Sequence, residues 1–461
     1  MGDIIARALA LRNGRRIDAL DQYTDTRIYG VSWDKNESSA LTRTNAAAGA
    51  VANAGVDGQP VQNDFDSASI WGEMRDVLDE RGNVFVRIPK FYIRKTDTAN
   101  SKTWQVSRYP HKGFYLPWCF WDFERGVELP YIDVGKYNAS LSGASALESK
   151  PDTYPLISRT IVNFRDYARA NNVGGLRGYQ QMDIHVTDVL QTLFYIEFAT
   201  LNSQSIMAGY TSAAYSDSYV ATVSESAASR VIVSNATASN FRVGQAVSIG
   251  TARGNTSVCY GRTITTIENY DTENKALVLE GDPVDVASGN IVWSSGWRSG
   301  FSAGISASSG SMGSNADGKY PCMYRGIENP WGSVYSWVDG VNITDWQAWV
   351  CSDPAQYTSN VFASPYEQLS YINHDVNGYP TEMGHDPNLP FAEFPIAIQT
   401  SGISTAKYYS DYYYQSAGQR VALVGGHWCG GAAAGLSCWY LSSSSGSAGV
   451  NFGGRLVRKP L

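Results

Sequence analysis

The stretch from Gly425 to Arg458, GGHWCGGAAAGLSCWYLSSSSGSAGVNFGGRLVR, constrains the fold more than any other part of the chain. It mixes two classes of residue. Trp428, Leu436, Trp439, Leu441, Phe452, Leu456 and Val457 are large apolar side chains that require burial. Between them lie small or polar residues: His427, Cys429, Gly430, Ala432, Ala433, Ser437, Cys438, Tyr440 and the run Ser442 to Ala448. Gly425-Gly426 and Gly453-Gly454 bracket the segment and permit tight turns with positive φ. A Ser/Gly/Ala run alone reads as a flexible linker. Linkers do not carry Trp428, Trp439, Tyr440 and Phe452, so the pattern predicts a structured surface loop on an apolar framework. Gly454 to Val457 reads as a buried closing strand.

Composition narrows the partners. Aromatics make up 12% of the chain and charged residues only 17%, which points to surfaces rich in Tyr, Trp and Ser, as in recognition surfaces. The formal charge is 36 − 43 = −7 with no basic cluster, which argues against a nucleic-acid partner. No apolar run approaches membrane-spanning length, so membrane insertion is not expected. Met1-Gly2-Asp3 does not begin a signal peptide, and Ala6 stands where myristoylation needs Ser or Thr. Cys119, Cys259, Cys322, Cys351, Cys429 and Cys438 form no CxxC pair and are expected to be mostly free, buried thiols. Neither metal nor cofactor is expected. His374-Asp375 and His385-Asp386 match no ligand spacing and read as part of a solvated loop.

Along the chain, residues 3–12 read as a short amphipathic helix and 35–65 as an irregular loop. Val84 to Lys95 alternates as strands with Pro89 at a bend, and residues 103–109 can pair with it. Ser158 to Asn171 predicts a helix capped by Ser158. Asp183 to Leu201 is apolar nearly all round and predicts a buried helix, whose Glu197 needs an Arg or backbone partner. Residues 218–294 change character to short β runs between Asn, Gly and Asp, a small all-β insert expected to touch the core lightly. Core texture resumes at 319–350, with Asn329 to Gly332 as a turn into a central strand, and Lys407 to Tyr414 is a tyrosine cluster.

The pattern GGxWxxGxxAGLxxWxLxxxxxxxxxNFGGRLV resembles the variable region of proteins diversified by retroelements, of which the phage tropism determinant is the best-known type. The NPWGSVYSWVDG segment at 329–340 is similar to an element shared by phage tail lectin-like domains and formylglycine-generating folds. The resemblance covers roughly 75–210 and 319–461. It implies an α+β C-type-lectin fold of the formylglycine-generating-enzyme-like subtype with a small all-β insert. In that family the variable codons cannot yield Lys, Glu, Gln, Met or Trp; between His427 and Val450 none of the first four occurs, and both Trp428 and Trp439 fall on positions assigned to the framework. The implied ligand-binding, variable positions are His427, Cys429, Gly430, Ala433, Ser437, Cys438, Tyr440, Ser442, Ser443, Ser444, Ser445, Gly446 and Ala448. The implied framework is Trp428, Trp439, Leu441, Phe452 and Arg455. The expected division is an N-terminal helix and attachment segment (1–70), a first lectin-like part (71–217), the insert (218–296) and a second part (297–461) carrying the variable region 425–458.

The function implied is a receptor-binding display protein at a phage tail-fibre tip. Its partners would be a host cell-surface protein or glycan, other tail proteins and copies of itself, a trimer being favoured, and it would be assembled in the host cytoplasm into the virion. A bacterial cell-surface display protein is the alternative. A formylglycine-generating-type enzyme is disfavoured, because Gly454-Arg455-Leu456-Val457 lacks the cysteine that family carries in its closing motif, and no nucleophile–base pair is evident.

Overall fold

A computed structural model of the chain describes residues 27–36, 39–56, 62–143, 145–313, 317–400 and 408–461. The helix expected at 3–12 lies outside the described residues, as does Lys407. The fold is rich in β-structure, with two principal helices, Ile161–Arg169 and Ile184–Phe198.

A seven-stranded sheet is the centre of the molecule. Its order is Glu367–Gln368, Gln347–Val350, Tyr335–Thr344, Gln419–Gly425, Gly435–Ser443 and Tyr413–Gln415, with Phe452–Gly453 added in parallel to the start of Tyr335–Thr344. Tyr335–Thr344 is buried at every position but the last, because both faces of the sheet are covered. Val338, Val341 and Ile343 face the Ile184–Phe198 helix. Tyr335 and Trp337 face Phe164 of the other helix. The longer helix is buried at all positions but Gln191, as its uniform hydrophobicity predicts. Its Glu197 takes a bidentate guanidinium from Arg325, at 2.6–3.0 Å, and an amide hydrogen from Asn63 at 2.8 Å. That is the expected structural acid.

A five-stranded antiparallel sheet runs Tyr179–Gln181, Leu456–Arg458, Tyr131–Gly135, Val84–Pro89 and Arg75–Leu78. The last strand of the chain therefore fills an interior slot between strands from distant parts of the sequence. A four-stranded sheet orders Thr42–Asn45, Ile28–Asp34, Ser101–Ser107 and Tyr92–Asp97.

Several expectations need correction. Residues 27–70 do not stand apart as an attachment segment. Ile28–Asp34 pairs with Ser101–Ser107 along its length, and Val31 and Trp33 lie in the main core. The 35–65 region holds the strand Thr42–Asn45 and a 3-10 turn at Asp64–Ser67. The first helix begins at Ile161, capped by Thr160 with a reciprocal bond from Asn163. Ser158 has φ of +55° and sits before it.

The insert has a five-stranded sheet of its own, Arg230–Ser234, Asn274–Leu279, Cys259–Asn269, Ala246–Gly250 and Ile291–Ser294, around a separate apolar cluster. It also contains a four-residue helix, Asn235–Ala238. Its junction with the core is not light. Trp293 of the insert packs in one buried cluster with Tyr210, Trp297, Val334 and Trp428, and stacks on Trp428 at 5.9 Å with 30° between the rings. The composition shift marks where the strands change, but it carries no information about a large aromatic at the seam. Trp293→Ala should cost about 3–5 kcal/mol, the usual range for a buried Trp, and deleting 218–296 should lower the thermal midpoint of the remainder. A deletion product that melts like the full chain would show that the seam contributes nothing.

Candidate functional site

The C-terminal region forms a face built by one strand and its neighbours. Gly435–Ser443 pairs in parallel with Tyr413–Gln415, matching Tyr413 to Trp439, Tyr414 to Tyr440 and Gln415 to Leu441. Side chains of a strand alternate between faces. Trp439, Leu441 and Tyr413 enter the main core, where Trp439 meets Phe394 edge-on at 5.0 Å. Cys438 and Tyr440 go to the opposite side. There the Tyr440 ring lies 5.2 Å from both Tyr414 and Tyr335, and 6.0 Å from Phe452. Tyr414 meets Tyr412 at 4.6 Å, Tyr412 meets Tyr379 at 5.0 Å, and Tyr335 meets His427 at 5.1 Å. The result is a continuous aromatic band from Tyr379 to His427, half-buried except for Tyr335, which is buried.

The structure separates the expected display positions into two sets. His427, Cys429, Gly430, Ala433, Tyr440, Ser442, Ser444 and Ser445 are half-buried, and Gly446 and Ala448 are exposed. Ser437, Cys438 and Ser443 are interior, at 1%, 0% and 5% exposure, and cannot contact a ligand directly. Smallness at these positions reflects tight packing rather than exposure. The Ser437 hydroxyl is hydrogen-bonded to that of Tyr195, and its N–H donates to Asp411 at 2.7 Å. Ser443 sits opposite Val421 in the sheet. Trp428, Trp439, Leu441, Phe452 and Arg455 are all buried.

Two loops frame the band. The Gly430–Ala434 turn is pinned by Gly431 N–H to Thr211 carbonyl at 2.7 Å and by Tyr412 N–H to Ala433 carbonyl at 3.0 Å. The serine loop closes on itself through Ser447 N–H to Ser444 carbonyl at 3.0 Å, and Asn360 donates to Ser445 Oγ at 3.0 Å. It is therefore a folded turn, not a linker.

The site carries little charge. Burial holds His427 down at about 4 and pushes Cys429 up to about 11, so both are neutral near pH 7. Cys429 Sγ lies 3.5 Å from His427 Nδ1, but without a thiolate this is not an activated nucleophile. Among the described residues, no three of His, Cys, Asp and Glu converge as metal ligands. His385-Asp386 is not solvated as expected. Asp386 is buried, accepting the N–H groups of Ser370 and Asn388 at 2.9 Å, and His385 lies 3.6 Å from Glu393. His374 sits 3.7 Å from Asp375 at the surface side of the same region.

The sequence reading missed Tyr379 and Tyr335 as members of the band. No local signal marks them, since their contacts depend on strand order in the folded sheet. Tyr412 and Tyr414 did stand out in the tyrosine cluster. No model of a known protein family matches the chain, and no curated protein matches it.

Beneath the face, Asp411 is buried against Gly435, where an added Cβ would lie 2.0 Å from the carboxylate. Burial raises its pKa from 3.8 to about 7. The folded state therefore holds a proton that the unfolded chain releases above about pH 4. Stability contributed by the neutral acid is complete below that point and falls by about 1.4 kcal/mol per pH unit as pH rises towards 7. Asp411→Asn keeps an acceptor for Ser437 and removes the titration. The variant should gain stability relative to wild type between pH 4 and 7 in thermal melts, and parallel profiles would exclude this role for Asp411.

Proposed function

We propose that this chain is a ligand-binding display protein, and that its recognition surface is the Tyr379-to-His427 band with the adjoining Gly430–Ala433 and Ser442–Ala448 loops. The observation that carries the reading is the division within one strand. Trp439 and Leu441 anchor it in the core, while Tyr440 and Ser442, on the alternate positions, stay partly accessible. Half-exposed tyrosines flanked by Ser, Gly and Asn give large contact area and adaptable hydrogen bonding at low entropic cost, as in antibody paratopes.

The C-type-lectin fold is the fold-level part of the proposal. Two helices packed on opposite faces of a central sheet, and a closing strand inserted beside Tyr131–Gly135, support it. So does the C-terminal sequence pattern, which further supports diversification of this face by a retroelement. On that reading the protein acts at a phage tail-fibre tip, assembled with tail proteins and with further copies of itself, most simply as a trimer, which would raise avidity for a host surface protein or glycan. On this reading its role is binding rather than catalysis.

Deep sequencing of the gene from one population should show variation at His427, Cys429, Gly430, Ala433, Tyr440, Ser442, Ser444, Ser445, Gly446 and Ala448. Trp428, Gly435, Ser437, Cys438, Trp439, Leu441 and Arg455 should stay constant. Equal variation in the two sets would end the diversification reading. Stability and binding should also separate. Trp439→Ala should cost about 3–5 kcal/mol. Tyr440→Ala, which loses only ring contacts on a partly wet face, should cost about 0.5–1.5 kcal/mol. Tyr440→Ala should nevertheless sharply reduce adhesion to host cells, because exposed aromatics carry disproportionate interface energy. Undiminished adhesion would place the receptor site elsewhere.

A further inference from the structure

A cleft with an aromatic mouth lies away from the Tyr379-to-His427 face. It has a volume of about 590 Å³ and runs between the residues around Trp121, the end of the Ile161–Arg169 helix and the 353–355 turn. Its size falls within the range of small-molecule sites. Trp121 and Phe123 line it, and Trp118 packs against both from outside the lining, with ring centroids 5.8 and 5.5 Å away. Trp118 and Phe123 leave 36% and 37% of their surface exposed. Contiguous exposed aromatics of this kind mark binding surfaces more often than chance.

The polar lining decides which ligand fits. Lys459 is 3% exposed and lines the cleft, donating to the carbonyls of Trp118 and Trp121 at 3.0 Å each. An ammonium has three hydrogens, so one donor remains for a ligand. Its nitrogen is 5.4 Å from the Phe123 ring centroid, which places positive charge beside the aromatic platform and disfavours a cationic ligand there. Asp122, Glu124 and Asp353 ring the same space, and the Arg169 guanidinium is engaged by the carbonyls of Pro354 and Tyr357. Anions such as nucleotides or phosphate are therefore disfavoured as well. What remains is a neutral ligand with an apolar face for the rings and many hydroxyls for the carboxylates and the ammonium.

We propose that this cleft is a saccharide-binding site, taking a short neutral glycan whose sugar face lies on the Trp121 and Phe123 rings, which Trp118 holds in place. It is independent of the C-terminal recognition face. Isothermal titration of the full chain with maltotriose, cellotriose and chitotriose, with choline and inorganic phosphate as charged comparators, tests it. At least one trisaccharide should bind saturably at millimolar concentration or below, and Phe123→Ala, a surface change with an unaltered melting curve, should weaken it by about 3–10-fold, the loss expected for one ring contact. Trp118→Ala should act in the same direction. Binding of none of the three sugars would overturn the proposal. So would binding of choline or phosphate in their place, or sugar binding that survives both ring substitutions. Loss of sugar binding in Tyr440→Ala would move the site to the C-terminal face and equally overturn it.

Discussion

The architecture depends on a buried guanidinium. Arg455 is 2% exposed and donates to four main-chain carbonyls: Gly135 at 2.7 Å, Lys136 at 3.0 Å, Glu328 at 2.7 Å and Asn329 at 3.1 Å. Burial lowers its pKa to about 10, opposed by the Glu328 carboxylate, so it stays protonated at neutral pH. Charged hydrogen bonds of this kind are each worth more than neutral ones. Their joint effect is to tie two separated parts of the chain, 135–136 and 328–329, to the residue just before the last strand. An added Cβ on Gly135 would meet the Leu456 carbonyl at 2.7 Å, so the approach of the two backbones also requires that glycine. Glu328 extends the network by accepting the N–H groups of Gly300 and Ser302 at 2.9 and 2.8 Å. With its end fixed in this way, the segment from Gly425 to Gly454 is a closed excursion between two rigid ends.

That closure lets one strand serve two purposes. Gln419–Gly425 and Gly435–Ser443 are paired in the sheet, and Phe452–Gly453 re-enters it in parallel. The chain between these points can change side chain at low cost where the side chain meets solvent, because backbone hydrogen bonds hold the loops. The Gly430–Ala434 turn and the Ser444–Ser447 turn are both set by main-chain bonds. The interior positions have no such freedom. Ser437 is bonded on both sides, and Gly435 leaves no room for a Cβ beside Asp411. A surface tolerant of sequence change is a property of the loops and the outer face of the strand, not of every small residue in the segment.

How much of this was legible in the sequence follows from the range of each interaction. Elements that announce themselves by period were read well: the buried Ile184–Phe198 helix, the Tyr335–Thr344 strand, and the pairing of Tyr92–Asp97 with Ser101–Ser107. Glu197 also declared itself, since a carboxylate inside an apolar helix must find a cation, though nothing local named Arg325. Ser437 and Cys438 were misread because composition reports size and polarity but not which strand face is covered. Tyr379, the Trp293–Trp428 stack and the cleft beside Lys459 arise only where distant segments meet. No periodicity within a window of residues encodes them.

The distribution of charge links these observations. Much of the small charged fraction is withdrawn into internal networks. Lys95 pairs with Asp188 at 2.5 Å and Glu393 at 3.0 Å, Lys102 with Glu393 at 2.7 Å, and Lys35 with Asp97 at 2.5 Å. Arg165 is bidentate on Asp339 at 2.8 Å, and Arg325 on Glu197. Buried pairs add little net stability over apolar packing, yet removing one partner leaves a costly lone charge. They therefore act chiefly as constraints on which segments may sit together. The consequence outside is a tyrosine- and serine-lined face that carries little charge. Long-range steering is weak on such a surface, so if it is the recognition face proposed above, selectivity would come from close contact, ring stacking and hydrogen bonds, and a change of one outward side chain would alter the partner without altering the fold.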